Sequence, residues 1–377
     1  MTLAIRFGFW LLALAAMALA ACVNPPRRPP PVDPDAVRAE IVRLMPAKAE
    51  SAQGWAIDIF AAFEALKIPP TSEHICGVLA VTEQESNFQV DPLVPDLPAI
   101  ARREIGARAA SHHIPKFMVD AALEIHSPNG LSFRERLENA RTEKDLSELF
   151  EDFIGSVPLG ERLFGDWNPV RTGGPMQVSI EFAEKQAKEK HYPYPVEGNI
   201  RSEVFTRRGG LFFGVAHLLA YTAPYDDMVF RFADYNAGHY ASRNAAFQNA
   251  VNIVSKKRLA LDGDLLIEGA DKPSNTELAI RTIGELGLTD AQIRTALEQG
   301  AESEFERTPL YSRVLALADK APPGRPVPRA IVPRIQLVSP KITRNLTTDW
   351  FARRVDDRYT RCLARAQSGT PCRRTAP

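Results

Sequence analysis

Residues 71–86 read TSEHICGVLAVTEQES. Thr71 and Ser72 carry side-chain oxygens that can accept the first free N–H groups of a helix, so a cap is expected there. From Glu73 to about Ser86 the residues are mostly apolar, with Ile75, Cys76, Val78, Leu79 and Val81 among them. A helix apolar on most of its circumference is buried, so this one is predicted to sit inside a helical core. Its last turn ends in Glu83-Gln84-Glu85-Ser86, a polar terminus on a buried rod.

Working outward, GWAIDIFAAFEALKI at 54–68 has apolar residues at spacings of three and four and is stopped by Pro69-Pro70. Asp35 to Leu44 predicts a short helix before it. After it, KFMVDAALEIH and EKDLSELFEDFI read as amphipathic helices within residues 92–168, separated by turn signals such as SPNG. A short motif region at Thr172–Ile180 precedes a polar helix, EFAEKQAKEK, and an apolar one, GGLFFGVAHLLAY. FRFADYNAGHYASRNAAFQNAV breaks at Asn236-Ala237-Gly238 and resumes, and TDAQIRTALEQG and EFERTPLYSRVLALADK supply two more helices. Strand signals are few and short. The expected fold is mainly α, one helical domain over 35–321 with a large helical insertion at about 92–168. The proline-rich linker and basic segment at 322–377 are expected as an appendage. The absence of regular strand–helix alternation speaks against a two-lobed solute-binding protein.

The first 21 residues resemble a secretory leader. Arg6 is followed by an apolar run too short and too badly flanked for a stable spanning helix. Leu19-Ala20-Ala21-Cys22 resembles the lipobox of bacterial lipoproteins, which implies cleavage before Cys22 and acylation of its thiol. Residues 22–34 are proline-dense and fit an extended tether. Val23 rather than Asp after Cys22 leans, by the rules of that family, toward the outer membrane facing the periplasm.

The 377 residues hold 46 Lys and Arg against 46 Asp and Glu, a net charge of zero. Charge is uneven, however: from Gly324 onward 12 Lys and Arg face 3 Asp, an excess of 9 that suits an anionic envelope partner or a solvated basic tail. No nucleic-acid partner is expected. Of four cysteines, Cys22 is assigned to lipid and Cys76 to an apolar core, while Cys362 and Cys372 lie close enough in sequence that they could close a small disulfide loop, a pairing left open. There is no CxxC or HExxH spacing, and His112-His113 are adjacent, so neither a metal nor a cofactor is expected.

Three motifs carry chemistry together. They are Glu85-Ser86-Asn87-Phe88, then Gly173-Gly174-Pro175-Met176-Gln177-Val178, then Ala233-Asp234-Tyr235-Asn236-Ala237-Gly238. In that order they resemble the soluble lytic transglycosylases and goose-type lysozymes, over roughly Thr71 to Ala250. The resemblance implies a lysozyme-like fold that cuts the MurNAc–GlcNAc glycan of peptidoglycan, with Glu85 as catalytic acid. It further implies that Ser86 and Gln177 hydrogen-bond near the sugar, that Met176 packs beside the acid, and that Tyr235 and Asn236 line the opposite wall. A carboxyl at the end of an apolar helix is desolvated and meets the negative end of the helix dipole, and both effects favour the protonated acid that glycoside cleavage needs. Glu83, two residues away, is expected to be an ordinary solvated glutamate.

The chain also departs from that pattern. About 90 residues separate Glu85 from Gln177, where the family keeps the two motifs close. Pro175 stands in place of a leucine and His239 where a proline is common. GHYASRNAAFQ reads as a specificity element, Glu306 as a speculative cleft residue, and Trp167 as a ring that either stacks on sugar or anchors a loop. The whole also resembles an uncharacterised family of proteobacterial lipoproteins. The expected activity is lytic transglycosylation, with a hydrolysing muramidase or a non-catalytic wall-binding lipoprotein as alternatives.

Overall fold

A computed structural model of the chain describes residues 32–157, 162, 167–267, 269–338 and 344–368. The leader, Cys22, most of the tether and Cys372 lie outside these residues. The chain divides into a short N-terminal unit, Met1–Val37, and a large unit, Arg38–Pro377. In the former, the Asp33 carboxylate accepts from the N–H of Asp35 at 3.0 Å, at the start of helix α1, Pro34–Leu44.

The architecture is mainly helical. After α1 come α2 (Ala52–Leu66), α3 (Ser72–Glu85), α4 (Leu97–Ser111), α5 (Lys116–Leu123), α6 (Phe133–Asn139) and α7 (Glu143–Ser156). A two-stranded hairpin, β1 (Thr172–Gly173) and β2 (Val178–Ser179), leads into α8 (Ile180–Glu189), α9 (Ile200–Val204), α10 (Arg207–Leu219), α11 (Met228–Ala237) and α12 (Ala241–Ser255). Then follow α13 (Asn275–Arg281), α14 (Asp290–Leu297), α15 (Pro309–Lys320), a second small hairpin of β3 (Gln336–Leu337) and β4 (Leu346–Thr347), and the long α16 (Thr348–Ser368). Local chemistry sets the boundaries. Thr71 caps α3 by accepting from His74 N–H, and α2 stops at Lys67, in the left-handed region at φ 56°, before Pro69-Pro70. The break expected at Asn236–Gly238 falls at Gly238, whose φ of 102° closes α11.

The centre is α10. Every residue from Gly209 to Leu219 except His217 is buried, and the helix packs against α2, α3 and α11. Fully burying each large apolar side chain here contributes roughly 1.5–3 kcal/mol. Gly214 lies where α10 meets the loop after β1: a Cβ there would stand 2.5 Å from the Met176 sulfur and 2.6 Å from its Cβ. Gly214→Ala gains helix propensity of about 1 kcal/mol but overpacks a contact that cannot swing away. A net loss of about 1–2 kcal/mol in urea unfolding is the expected result. A second apolar cluster, around Phe247, Ile280, Phe305 and Leu310, is built by α12, α13, α14 and α15.

The tail read as an appendage is a packed element. Helix α16 lies along α3 and α11, burying Phe351, Ala352, Val355, Cys362 and Ala366 on one face. Cys362 bonds to Cys76 of α3 across 286 residues, which takes the place of the Cys362–Cys372 loop left open in the sequence. Cys76 is buried as expected, but in a disulfide. No helix among the described residues is long and apolar enough to cross a membrane.

Candidate active site

Glu85 is the last residue of α3 and is half-buried. Beyond Ser86 the chain turns sharply, with Asn87 and Phe88 both in the left-handed region at φ 51° and 61°. Such a pair is costly for side chains other than glycine, and it is held by Phe88, which is buried edge-on against Trp55 of α2 at 5.4 Å. The end of α3, and Glu85 with it, is thereby fixed against α2. The Ser86 hydroxyl is buried and donates to Thr82 O of its own helix at 3.1 Å.

The second motif forms the turn between β1 and β2, closed by Gln177 N–H to Gly174 O at 3.0 Å. Gly174, at φ 71°, has the Val204 carbonyl where a Cβ would go, so glycine is required. Met176 is fully buried against Gly214. The third motif reaches the same place from α11: the Tyr235 hydroxyl donates to Met176 O at 2.7 Å. Burial, seconded by the charge of Glu85, pushes that hydroxyl well above its ordinary pKa, which puts Glu85 and Tyr235 in one electrostatic neighbourhood. Tyr235 is a buried brace, 8% exposed, more than a cleft wall. Asn236 is exposed, and its side-chain oxygen accepts from Thr348 Oγ1 at the start of α16 at 3.0 Å.

Gln177 is already engaged. Its Nε2 donates to Glu143 Oε2 at 2.8 Å, and its oxygen accepts from Thr172 Oγ1 at 3.2 Å. Glu143, a buried residue in the first turn of α7, thus brings a carboxylate from the insertion to the second motif. Thr142 caps α7 just before it, and its contact with a residue 34 positions away has no local signal in the sequence. Glu83 is part-exposed and faces Arg358 of α16 at 3.8 Å. Glu306 pairs with the buried Arg243 at 3.4 Å, beside the second core. Trp167 stacks on His112 at 4.6 Å, within the insertion's own packing.

Sequence reasoning gave no role to two polar groups at the third motif, the buried Asp234 within it and the part-buried His217 of α10. The Asp234 carboxylate accepts from the hydroxyls of Tyr221 and Tyr225 and from the N–H groups of Tyr240 and Ser242, tying together the two sides of the Gly238 break. Burial lifts its pKa to about 6 although those donors pull it down. His217 lies against Tyr235 at 4.9 Å and His239 at 4.5 Å, with Nε2 donating to Tyr235 O at 3.2 Å. Burial pushes His217 down to about 3, and His239 is lowered for the same reason. A histidine lowered in the folded state contributes stability above its unfolded pKa of about 6.5 and loses it as pH falls below that. Asp234, raised in the folded state, acts oppositely between about pH 6 and 4. Stability should therefore drop from pH 7 to 5, with up to about 2 kcal/mol from His217 alone, less what its half-exposed edge screens. Denaturant midpoints at the two pH values should converge in His217→Gln. Among the described residues no group of three or more His, Cys, Asp or Glu could hold a metal.

A family model described as "Protein of unknown function (DUF1615)" matches residues 48–365, which include all three motifs. Over 356 residues the chain is 52% identical to the Escherichia coli K12 protein described as "Uncharacterized protein YaiW", covering 94% of this chain and 97% of that protein. No solved structure matches the chain.

Proposed function

The chain belongs to the DUF1615 family, and for it we propose a lysozyme-like, membrane-anchored enzyme that cuts the peptidoglycan glycan with Glu85 as its one essential acid. The observation that carries this reading is convergence. Glu85, the Met176–Gln177 turn and Tyr235 come from three separated segments, and Tyr235 links to both of the others. Glu85 then has the setting of a general acid, a carboxyl at a helix end on an apolar core.

The reaction that suits one carboxyl is lytic transglycosylation. Glu85 gives its proton to the oxygen leaving the muramyl C1, and the C1–O bond breaks. The resulting carboxylate then takes the proton of the muramyl 6-hydroxyl as that oxygen bonds to C1, closing a 1,6-anhydro ring and restoring the acid. No water and no cofactor enters. Tyr235 and Met176 act here as braces that hold the two sides of the site in register. The Cys76–Cys362 bond supports an oxidising compartment such as the periplasm, and the Cys22 motif supports attachment there through lipid.

Glu143 favours a second reading. A carboxylate beside Gln177 could activate water, as in an inverting muramidase. Sacculi digested with the full chain distinguish the two by their product ends. The first reading predicts anhydromuramyl ends that persist in Glu143→Gln. Reducing ends that vanish in Glu143→Gln would replace it with the muramidase.

A further inference from the structure

The insertion has an interior of its own. Helices α4, α5 and α7 enclose a cavity of about 240 Å³ walled by Ile105, Ala109, Val119, Ala122, Phe153 and Trp167. Apolar cavities stay dry, and one of roughly 150 Å³ already accepts benzene, so this one has room for a longer hydrocarbon. It opens to the surface at Met118, which both lines it and is 53% exposed, next to Phe117 at 71%. Helix α5 buries none of its residues, so one wall of the cavity is a surface helix without a packed outer layer.

Two charged residues line this apolar space, the exposed Glu104 and the half-buried Arg108. Arg108 spends one N–H on Trp167 O at 2.6 Å, and a guanidinium has more donors than that contact uses. Lys116, at the start of α5, is exposed and spends its charge on Asp120 at 2.7 Å, so Arg108 is the cation left for a ligand on the cavity wall. An apolar interior with an arginine on its wall matches a molecule with one alkyl chain and an anionic head.

We propose that this cavity binds the alkyl chain of a single-chain anionic amphiphile of the fatty-acid class, with its carboxylate at Arg108. The site is separate from Glu85, and the inference stands whatever Glu85 does. The test is photolabelling of the full chain in lipid nanodiscs with a diazirine-bearing medium-chain fatty acid, adducts being mapped by peptide mass spectrometry. Adducts concentrated in residues 104–122, competed away by unlabelled decanoate, are expected. Ala122→Trp, which fills the cavity, should lower their yield about tenfold or more, and Arg108→Gln should weaken labelling by the acid but not by a neutral alkyl probe. Adducts that decanoate does not displace would overturn the proposal without reference to any variant. So would labelling that Ala122→Trp leaves unchanged, or a neutral probe that binds as well as the acid.

Discussion

Cys76→Ser is expected to destabilise the protein by about 3–5 kcal/mol, the largest stability effect of any single substitution considered. The bond closes a loop of 286 residues, and the chain entropy removed from the unfolded state grows with the logarithm of loop length. The position matters as much as the size. Cys76 lies on α3 nine residues before Glu85, and Cys362 lies on α16, which also reaches α3 through Arg358–Glu83 and α11 through Thr348–Asn236. Helix α16 thus fastens the helix that carries Glu85 to the one that carries Tyr235. Cys362→Ser should match Cys76→Ser, and the double variant should cost no more than either alone, because each removes the same bond. Urea unfolding of the three variants under non-reducing conditions gives the comparison.

The second large effect is on turnover. In the proposed reaction Glu85→Gln keeps the side chain's size and removes its transferable proton. General acid catalysis supplies roughly 10²–10⁴-fold, so glycan cleavage should fall by at least that factor while unfolding midpoints change by less than about 1 kcal/mol. Glu83→Gln is the control. It weakens a contact with Arg358, two residues from Glu85, and should leave turnover within a few-fold of wild type.

Much of this fold was legible in the residues. The helices Ala52–Leu66, Ser72–Glu85 and Arg207–Leu219 carry apolar periodicity and clear stops, and they lie within two residues of where pattern and capping placed them. The C-terminal helix was not recognised, although Phe351, Val355, Cys362 and Ala366 make a stripe at helical spacing. Proline and arginine dominate that region's composition and hid the stripe. The disulfide was missed for a different reason: nearness in sequence offered Cys372, whereas pairing follows nearness in space, which α16 creates only by folding back on α3.

The candidate site divides the same way. Glu85, Met176, Gln177 and Tyr235 were named from motif order, and in the fold Tyr235 donates to Met176 O and feels the charge of Glu85. Their bonding could not be read. Ser86 turns into its own helix, Gln177 is held by Glu143, and Asp234 lies buried within the third motif with four donors. These are tertiary contacts, and no local pattern encodes them. The insertion is the clearest example, since residues that separate two motifs in sequence send Glu143 back to one of them.

Mass spectrometry of the material released from purified sacculi, by wild type and Glu85→Gln side by side, tests the central claim most directly. Soluble muropeptides with 1,6-anhydro ends from the wild type, and none from a folded Glu85→Gln, are predicted. Release of the same products by both proteins, or by neither, would contradict it.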